Sequence, residues 1–482
     1  MNEIVNAING VIWSPALIYL CLGVGLYFSL RSRFLQLRHL KGMIRLMFQG
    51  KGNDAGVSSF QALSMTLAGR VGTGNIAGVA TAITFGGPGA LFWMWMVAFL
   101  GASSAFVEST LGQVYKEKIN GEYRGGPAFY ILHGLGQRWL AVVFSILLLV
   151  TFGFGFNAVQ SYTVATSLHD TFGLPTHFSG LALVAVIGLI IFGGIKRIAS
   201  MADVLVPIMA FSYIGMALVV IGMNVSEVPA TLALIVKSAF GLEPAFAGLL
   251  GSAIVMGVKR GVFANEAGLG SAPNVAAVAA VRHPASQGVV QAFSVFLDTF
   301  VICTCTALLI LLSGFYTPGF EGDGIALTQN SLAAVVGDWG RMFISVALAL
   351  FVFTSMLYNY YLGENNLRFL VGESRKALMG YRALVLVLIV WGSIENLQTV
   401  FAFADITMTL LAFVNLFALA FLFKIAMRIL NDYDNQRAAG IKTPVFDSSQ
   451  FPDLDLDRKA WPANPVQPQA APAAELNAQV QR

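Results

Sequence analysis

The chain of 482 residues is 56% hydrophobic and only 11% charged, and its formal net charge is +4. A soluble domain carries about 25% charged residues, so this composition excludes a soluble protein and indicates an all-α polytopic membrane protein. The three cysteines, Cys21, Cys303 and Cys305, lie in apolar segments, so we expect no disulfide framework.

Apolar runs of about 20 residues, the length with which a helix crosses a bilayer, divide the chain into eleven predicted spans. In chain order, spans 1 to 11 lie near residues 11–30, 58–85, 88–115, 140–167, 178–194, 202–223, 244–281, 287–312, 341–362, 378–394 and 398–426. The loops on one side, together with the C-terminal end, hold 24 Lys and Arg residues, against two on the other side. The positive-inside rule therefore predicts an outer N-terminus and a cytoplasmic C-terminus.

The two ends of the chain and two segments between spans have separate predictions. Residues 1–30 form the outer N-terminus and span 1, and the basic residues 31–57 have apolar positions that predict an amphipathic helix on the inner membrane surface. The outer segment 313–340 is predicted to be a long loop, either a lid or a plain surface loop. Residues 427–482, rich in Pro, Ala, Gln and Asp, predict a cytoplasmic polar tail that is largely disordered.

Span 2 contains a glycine-rich interruption at the centre of an apolar segment. The interruption reads Gly69-Arg70-Val71-Gly72-Thr73-Gly74-Asn75-Ile76-Ala77-Gly78. A helix broken at this depth leaves backbone N–H and C=O groups unpaired, and lipid cannot satisfy them. Such breaks are tolerated where they line a cavity or hold an ion, so this one predicts a transport site.

Span 7 is interrupted in the same manner, five spans later. Its interruption reads Gly257-Val258-Lys259-Arg260-Gly261-Val262-Phe263-Ala264-Asn265-Glu266-Ala267-Gly268-Leu269-Gly270-Ser271. A repeat with an odd number of spans reverses the topology of its second copy. We therefore predict two inverted repeats, residues 58–223 (spans 2–6) and residues 224–426 (spans 7–11).

Other functional classes fit the sequence less well. Gly72-x-Gly74 and Gly268-x-Gly270 lack the soluble strand and the following acidic residue of a dinucleotide loop. The five histidines lie in loops or at span ends without a metal-ligand cluster, so we expect neither an enzyme nor an enzymatic cofactor. An ion channel is an alternative, since exposed carbonyls also build selectivity filters, but two non-repeating breaks in one chain favour a carrier. We expect contact with the lipid bilayer, and neither nucleic acid nor an obligate protein partner.

Three long motifs resemble those of a known family. They are Ala68-Gly69-Arg70-Val71-Gly72-Thr73-Gly74-Asn75-Ile76-Ala77-Gly78, Glu122-Tyr123-Arg124-Gly125-Gly126-Pro127, and the span 7 interruption continued through Ala272-Pro273. Over about residues 10–430 the chain resembles the alanine or glycine:cation symporters, also called sodium:alanine symporters. The resemblance implies a LeuT-type core of ten helices in two inverted repeats, with span 1 as an additional helix. It also implies uptake of alanine, glycine or a similar small neutral amino acid with Na+, or alternatively H+, through a bacterial or archaeal inner membrane.

The first interruption offers what the carboxylate of an amino acid needs. Freed N–H groups at a helix N-terminus, aided by the helix dipole, bind anions. We therefore predict carboxylate contacts from Gly72, Thr73 and Gly74, with the amide of Asn75 as an additional donor. The alternative is that these glycines serve only close helix packing.

Two other elements complete the predicted substrate site. Freed carbonyls of the second interruption are expected to receive the ammonium group, and the candidates there are Asn265, Gly268 and Gly270. In span 4, Asn157 and Gln160 share a helical face, and we predict that Gln160 contacts the substrate. An interhelical hydrogen bond is the alternative role for Gln160.

The resemblance also implies a sodium site beside the first interruption. In the LeuT-type arrangement, carbonyls next to that break and adjacent hydroxyls on a later helix hold the ion. The matching residues here are Ala68, Val71, Phe351, Thr354 and Ser355.

Charged residues inside the spans are expected to be compensated, since an unpaired charge in a bilayer costs several kcal/mol. We predict that Glu266 forms ion pairs with the basic residues Arg70, Lys259 and Arg260, and direct contact with the substrate ammonium is the alternative. If transport is coupled to H+, the proton carrier is expected among Asp298, Glu108, Glu364 and Asp405.

Overall fold

The computed structural model describes residues 15–48, 52–320, 322 and 324–463. In chain order its helices are α1 (Pro15–Arg31), α2 (Leu35–Arg38), α3 (Leu40–Met47), α4 (Ser59–Arg70), α5 (Val79–Gly86), α6 (Gly89–Val114), α7 (Pro127–Leu135), α8 (Arg138–Phe172), α9 (Thr176–Ile191), α10 (Gly194–Met223), α11 (Val228–Ala239), α12 (Pro244–Asn265), α13 (Ala272–Ala276), α14 (Pro284–Leu312), α15 (Gly324–Val336), α16 (Trp339–Val371), α17 (Arg375–Ile394) and α18 (Leu397–Ala438). Short 3-10 turns lie at Val225–Glu227 and Ser448–Gln450. Strands β1 (Glu117–Ile119) and β2 (Glu122–Arg124) form a small antiparallel hairpin.

Three helical stretches are π-helical, with hydrogen bonds that span five residues instead of four. They are Gly74–Gly78 between α4 and α5, Leu149–Phe156 within α8, and Phe296–Cys303 within α14. A π-helical turn leaves backbone groups poorly paired and is frequent at functional sites. No sequence pattern predicted the π-helical stretch in α14.

Each predicted span coincides with a helix or an interrupted helix. Among the described residues, eight helices are long and apolar enough to cross a membrane, and shorter apolar helices lie at Ile18–Arg31, Thr176–Ile191 and Gly324–Val336. The predicted class, a helical membrane protein with two discontinuous helices, is confirmed. The count of eleven spans and the inverted repeat stay predictions.

The first interrupted helix starts with a reciprocal cap and breaks at its glycines. Ser58 Oγ accepts from the backbone N–H of Gln61, and Gln61 Oε1 accepts from that of Ser58, both at 3.0 Å. Helix α4 ends at Arg70, and helical geometry resumes in the π-helical stretch that leads into α5. Gly69 permits the close crossing with α16, because a Cβ there would collide with the ring of Tyr358.

The second interruption depends on left-handed backbone conformations. Glu266, at the end of α12, has φ 53°, and Gly268 and Gly270 have φ 84° and 78°. A right-handed helix cannot continue through such residues, and only glycine adopts them without strain. The helix resumes only at α13, which has five residues.

The two interrupted helices lie side by side in opposite directions. The N–H of Val57, just before α4, donates to Val278 O at 3.1 Å, and the N–H of Ala280 donates to Val57 O at 2.9 Å. Val278 and Ala280 follow α13, so the start of the first interrupted helix meets the end of the second. An inverted repeat would also place the two helices antiparallel, and the repeat stays a prediction.

Segment 313–340, which was predicted to be a loop or a lid, contains helix α15 among its described residues. Thr328 Oγ1 on α15 donates to Ile76 O at 3.4 Å, and a Cβ on Gly324 would lie 2.6 Å from Ala77 O. The helix thus packs directly on the π-helical stretch of the first interrupted helix. This contact agrees with the lid interpretation of the segment.

The basic segment 31–57 contains the expected amphipathic helix in two pieces, α2 and α3. Leu35 and Met43 are fully buried against the protein, whereas Leu37 and Ile44 are 55% and 57% exposed. The segment therefore presents apolar side chains both to the helix bundle and outward. The outward set is what contact with a lipid surface requires.

The prediction of a disordered tail is wrong for residues 427–463. Helix α18 continues to Ala438, and residues 439–463, which we call the C-terminal strap, fold back and bury Phe446 and Trp461. The indole N–H of Trp461 donates to Gln113 O at 2.9 Å. Composition was misleading here because widely spaced apolar anchors are separated by polar and proline-rich stretches. Residues 464–482 lie outside the described residues.

The strap is also held by a histidine between two carboxylates. His133 Nε2 lies 2.7 Å from Glu117, and His133 Nδ1 lies 2.6 Å from Asp455 of the strap. The hydrogen bond with Glu117, aided by that with Asp455, raises the pKa of His133 from 6.5 to about 9. The imidazolium therefore stabilises the strap fully below pH 6.5, and this contribution is lost as the pH rises through about 9.

We expect the strap to be cleaved faster by a protease at pH 10 than at pH 7. Limited proteolysis with one protease of broad pH range, followed by mass spectrometry of the C-terminal fragments, measures this. His133→Gln cannot be protonated, so cleavage of this variant should vary with pH only as the protease itself does. Equal pH dependence in both proteins would show that His133 does not hold the strap.

Candidate functional site

The two interruptions meet in one buried junction. A Cβ on Gly74 would lie 3.0 Å from Ala264 Cα and 3.2 Å from the ring of Phe263, so the start of the π-helical stretch touches the end of α12. Phe156, at the end of the π-helical stretch in α8, reaches the same place, with its ring centroid 4.8 Å from that of Phe263. Asp298, in the π-helical stretch of α14, contacts Asn75. All three π-helical stretches named above therefore border this junction.

The predicted residues of the first interruption and Gln160 lie together. The N–H of Gly72 donates to Asn75 Oδ1 at 3.0 Å, and the N–H of Thr73 donates to Gln160 Oε1 at 3.3 Å. Both acceptors are side-chain oxygens, so a carboxylate can replace either of them. The hydroxyl of Thr73 is buried and has no partner among the described residues. The break thus presents donors that a small anionic group can take.

Asn157 and Gln160, adjacent on one face of α8, contact different neighbours. Asn157 Nδ2 donates to Gly153 O at 3.2 Å, and Asn157 Oδ1 accepts from Asn359 on α16 at 3.1 Å. Asn157 thus makes an interhelical hydrogen bond. Gln160 also bonds another helical segment, through Thr73, so its contact with the substrate stays a prediction beside that alternative. Gln160 itself faces the interruption.

Aromatic rings limit the space beside the first interruption. Phe263 lies against Gly74, and the ring of Phe156 is tilted by 52° against that of Phe263. Phe152 follows, with its centroid 4.7 Å from that of Phe156. These rings were not among the predicted site residues. The signal was present in the Phe-Gly-Phe-Gly-Phe run at 152–156 and in Phe263 within the second motif.

The residues of the second interruption divide into two groups. Asn265 lies at the junction, where its Nδ2 donates to Thr299 Oγ1 at 3.5 Å and its Oδ1 accepts from the N–H of Ala267 at 3.0 Å. The N–H groups of Gly268 and Gly270 instead donate to the Glu108 carboxylate at 3.3 and 3.0 Å. These two glycines are therefore anchored to α6, away from Gly72 and its neighbours.

Asn415 on α18 secures this anchor. Its Nδ2 donates to Gly268 O at 2.8 Å and to Glu108 Oε2 at 3.0 Å. The backbone that the second break frees is thus satisfied by protein side chains, as the interior of a bilayer requires. The sequence patterns did not single out Asn415, although an amide deep in the apolar span 11 was a visible signal.

Four of the five predicted sodium ligands are connected by direct contacts. Ser355 Oγ donates to Ala68 O at 2.8 Å and lies 2.9 Å from Phe351 O. Thr354 Oγ1 lies 3.0 Å from the same Phe351 carbonyl. Val71, the fifth residue, is buried at the point where α4 ends. These oxygens suit a small hard cation, and their chemistry fits Na+.

The predicted ion pairs of Glu266 with Lys259 and Arg260 are wrong. Both basic side chains approach Asp405 on α18, with Lys259 Nζ at 2.6 Å and Arg260 Nη2 at 3.3 Å from its carboxylate. Glu266 accepts instead from Ser271 Oγ at 2.6 Å. The reason is geometric, because Lys259 and Arg260 precede Glu266 by about two helical turns and the left-handed Glu266 leaves the helix.

Comparison with known proteins gives consistent results over nearly the whole chain. A model of the sodium:alanine symporter family matches residues 1–448. The chain is 48% identical to the "Probable sodium/glutamine symporter GlnT" of Bacillus subtilis (strain 168), over 92% of this chain and 93% of that protein. It is 41% identical to the "Sodium/proton-dependent alanine carrier protein" of Bacillus sp. (strain PS3), over 85% and 95%. It is 38% identical to the "Sodium/alanine symporter AgcS" of Methanococcus maripaludis, over 87% and 94%.

Proposed function

Because this chain belongs to the sodium:alanine symporter family, we propose that it imports alanine, glycine or a similar small neutral amino acid together with Na+. It is a transporter and not an enzyme, since the family carries solutes across membranes. We place it in the inner membrane of a bacterium or archaeon. The excess of 24 basic residues against two supports a cytoplasmic position for the C-terminal strap.

The observation that carries this proposal is the meeting of two helix ends of opposite polarity. The helix that resumes at Gly74 presents its N-terminus, which is the positive end of a helix dipole, and α12 ends at Asn265 with its negative end. A Cβ on Gly74 would lie only 3.0 Å from Ala264 Cα, so the two ends are adjacent. A zwitterionic amino acid is complementary to such a pair.

We assign the substrate carboxylate to the first interruption. The N–H groups of Gly72, Thr73 and Gly74 would bind it, with Asn75 and Gln160 exchanging their present hydrogen bonds for contacts with the substrate. The ammonium group would face the last carbonyls of α12 near Asn265, which have no helical partner. Gly268 and Gly270 then act indirectly, by making the turn that ends α12.

We assign Na+ to the oxygens of Ala68, Val71, Phe351, Thr354 and Ser355. One Na+ that moves inward across 100 mV releases about 2.3 kcal/mol, and a tenfold concentration ratio adds roughly 1.4 kcal/mol. Together they support an accumulation of the amino acid on the order of a few hundredfold. H+ in place of Na+ is the alternative.

Alanine and glycine are favoured over larger substrates by the rings beside the break. The ring centroids of Phe156 and Phe263 lie 4.8 Å apart and Phe263 lies against Gly74, so we propose that these rings restrict the substrate to a small side chain. A glutamine carrier of this family would need more space there, so the relative named a sodium/glutamine symporter makes glutamine the natural competitor to test.

Purified protein in liposomes should accumulate radiolabelled alanine when Na+ is outside and K+ inside. Choline in place of Na+ should lower the initial rate at least about tenfold, as expected when a bound ion is lost. Excess glycine should compete strongly with alanine, and glutamine weakly. Counterflow of preloaded alanine distinguishes a carrier from a channel. Uptake driven equally by a pH gradient without Na+ would contradict Na+ coupling.

A further inference from the structure

A basic cavity lies where the end of α1 passes beside α18, at the face of the bundle that we assign to the cytoplasm. Its volume is about 600 Å³. Its lining includes three guanidinium groups, those of Arg31 at the end of α1, Arg33 in the turn that follows and Arg38 at the end of α2. Asp434 on α18 is the carboxylate among the described residues that line it. Three positive charges therefore face one negative charge.

Asp434 is paired with one of the three arginines. Arg38 Nη1 lies 3.2 Å from Asp434 Oδ2, and Arg38 Nη2 donates to Ser32 O at 3.2 Å. Arg31 and Arg33 are exposed, and no carboxylate oxygen of the described residues lies within the 4.0 Å of an ion pair from either. A cavity that concentrates charge of one sign attracts ligands of the other sign. A ligand for this cavity is therefore expected to be anionic.

The turn that displays these arginines has a strained backbone. Arg33 and Phe34 have φ 55° and 51°, in the left-handed region, although neither is glycine. Such conformations persist only where the surroundings determine them, and they cluster at functional sites. The fully buried Gln36 fixes the turn, because its Nε2 donates to Ser29 Oγ at 3.0 Å and to Phe99 O at 3.3 Å. The chain thus keeps a guanidinium at position 33, where glycine would relieve the strain.

Apolar side chains border the same cavity. Leu30 on α1 and Met427 on α18 belong to its lining, and Leu30 is 56% exposed. Leu26 and Tyr27 lie one helical turn before Leu30 and are 45% and 50% exposed, and Tyr19 further along α1 is 73% exposed. An uncovered apolar row therefore leads from the guanidinium groups along a membrane helix. A ligand that fits both parts has an anionic head and hydrocarbon chains.

We propose that this cavity binds an anionic phospholipid of the cytoplasmic leaflet, with Arg31 and Arg33 on its phosphate and its acyl chains along α1. Guanidinium groups bind phosphate oxygens with paired N–H donors, and basic pockets between cytoplasmic helix ends suit lipid head groups. The inference goes beyond the proposed transport function and does not depend on the transported solute. It also differs from a general attraction of the basic segment 31–57 to a charged membrane, since it assigns one head group to two residues. A lipid held there would join α1 to α18.

Native mass spectrometry of the full-length protein in detergent, titrated with phosphatidylglycerol or with zwitterionic phosphatidylethanolamine, measures the site. We expect one phosphatidylglycerol to bind on the order of tenfold more tightly than phosphatidylethanolamine. Each basic residue near an anionic head group contributes about fivefold. Arg31→Gln/Arg33→Gln should therefore weaken the binding of phosphatidylglycerol roughly 25-fold.

Lys41→Gln/Arg45→Gln is the matched control for charge. Lys41 and Arg45 lie exposed on α3 of the same basic segment, outside the residues that line the cavity. This variant loses as many positive charges as the arginine pair does. We expect its affinity for phosphatidylglycerol to stay within about twofold of wild type.

Arg33→Gly tests the site if the double arginine variant does not fold. Glycine adopts the left-handed conformation without strain, so the Tm of this variant in detergent should be at least that of the wild type. Its affinity for phosphatidylglycerol should nevertheless fall about fivefold. A variant with unchanged affinity would show that the Arg33 guanidinium does not bind the head group.

Three results would overturn the lipid site. They are equal binding of the two lipids by wild type, equal weakening in the two double variants, and displacement of phosphatidylglycerol by equimolar glycerol 1-phosphate. The third result would mean that the cavity takes a soluble phosphate instead of a lipid. None of these measurements involves transport, so a failure of Na+-dependent alanine uptake would count against the proposed function alone.

Discussion

Replacement of Gly72 by alanine should lower alanine uptake about 100-fold without preventing membrane insertion. The added Cβ would lie 2.6 Å from Ser355 Oγ and 2.8 Å from Gln160 Nε2, so both side chains must shift. Ser355 belongs to the proposed sodium site and Gln160 to the proposed substrate site. Overpacking costs about 1–3 kcal/mol, and about 2.7 kcal/mol corresponds to a hundredfold change in rate.

Gly74 and Gly78, the first and last residues of the π-helical stretch that follows Gly72, provide graded controls. A Cβ on Gly74 would meet Ala264 Cα at 3.0 Å, whereas a Cβ on Gly78 would meet nothing closer than Thr73 O at 3.8 Å. We therefore expect Gly74→Ala to fall between Gly72→Ala and wild type, and Gly78→Ala to stay within about twofold of wild type. Initial rates per reconstituted protein, with thermal unfolding in detergent as a check on folding, give the comparison. Equal rates for Gly72→Ala and Gly78→Ala would mean that the glycines serve packing alone.

The interruptions could be predicted from the sequence because their cause is local. Several glycines, an amide and a charge inside an apolar run cannot continue as a lipid-facing helix, whatever surrounds them. The same local argument placed Gly72, Thr73 and Asn75 at a site. The contact of Thr73 with Gln160, 87 positions away, required only that a polar side chain of span 4 face the interior.

Partners far apart in the sequence could not be predicted in this way. Lys259 could pair with any embedded carboxylate, and the choice of Asp405 over Glu266 depends on how α12 and α18 cross. The anchoring of Gly268 by Glu108 and Asn415 likewise needs three helices to be positioned together. Such pairings are set by tertiary packing.

Amino-acid composition likewise failed to predict the structure of two segments, the C-terminal strap and the segment that contains α15. The C-terminal strap is polar on average, yet Phe446, Leu454 and Trp461 are buried. The ring of Phe446 packs against those of Phe451 and Trp461, with centroids 5.1 and 5.2 Å away. Periodicity cannot reveal anchors at irregular spacing. Helix α15 was not predicted, because Pro318 and the acidic residues of the segment 313–340 suggested a loop.

Removal of both hydroxyls at Thr354 and Ser355 should raise the Na+ concentration for half-maximal uptake about 100-fold in the double variant Thr354→Ala/Ser355→Ala. Each polar contact to a charged group contributes roughly 1.5–3 kcal/mol, so two losses correspond to at least about a hundredfold. Ser355→Ala alone should have the larger single effect. Its hydroxyl bridges Ala68 O at 2.8 Å and Phe351 O, whereas that of Thr354 also turns toward Met209 Sδ at 3.6 Å.

Thr409→Ala controls for the loss of a buried helical hydroxyl, because Thr409 is fully buried and donates to Asp405 O at 2.8 Å within α18. Alanine uptake measured over a wide range of Na+ concentrations should shift for the Thr354 and Ser355 variants and not for Thr409→Ala. Saturating Na+ should restore most of the maximal rate if the hydroxyls act only as ligands. A double variant with a lower maximal rate but an unchanged Na+ requirement would place the ion elsewhere, and Ser355 would then serve only to hold α16 against the first interrupted helix.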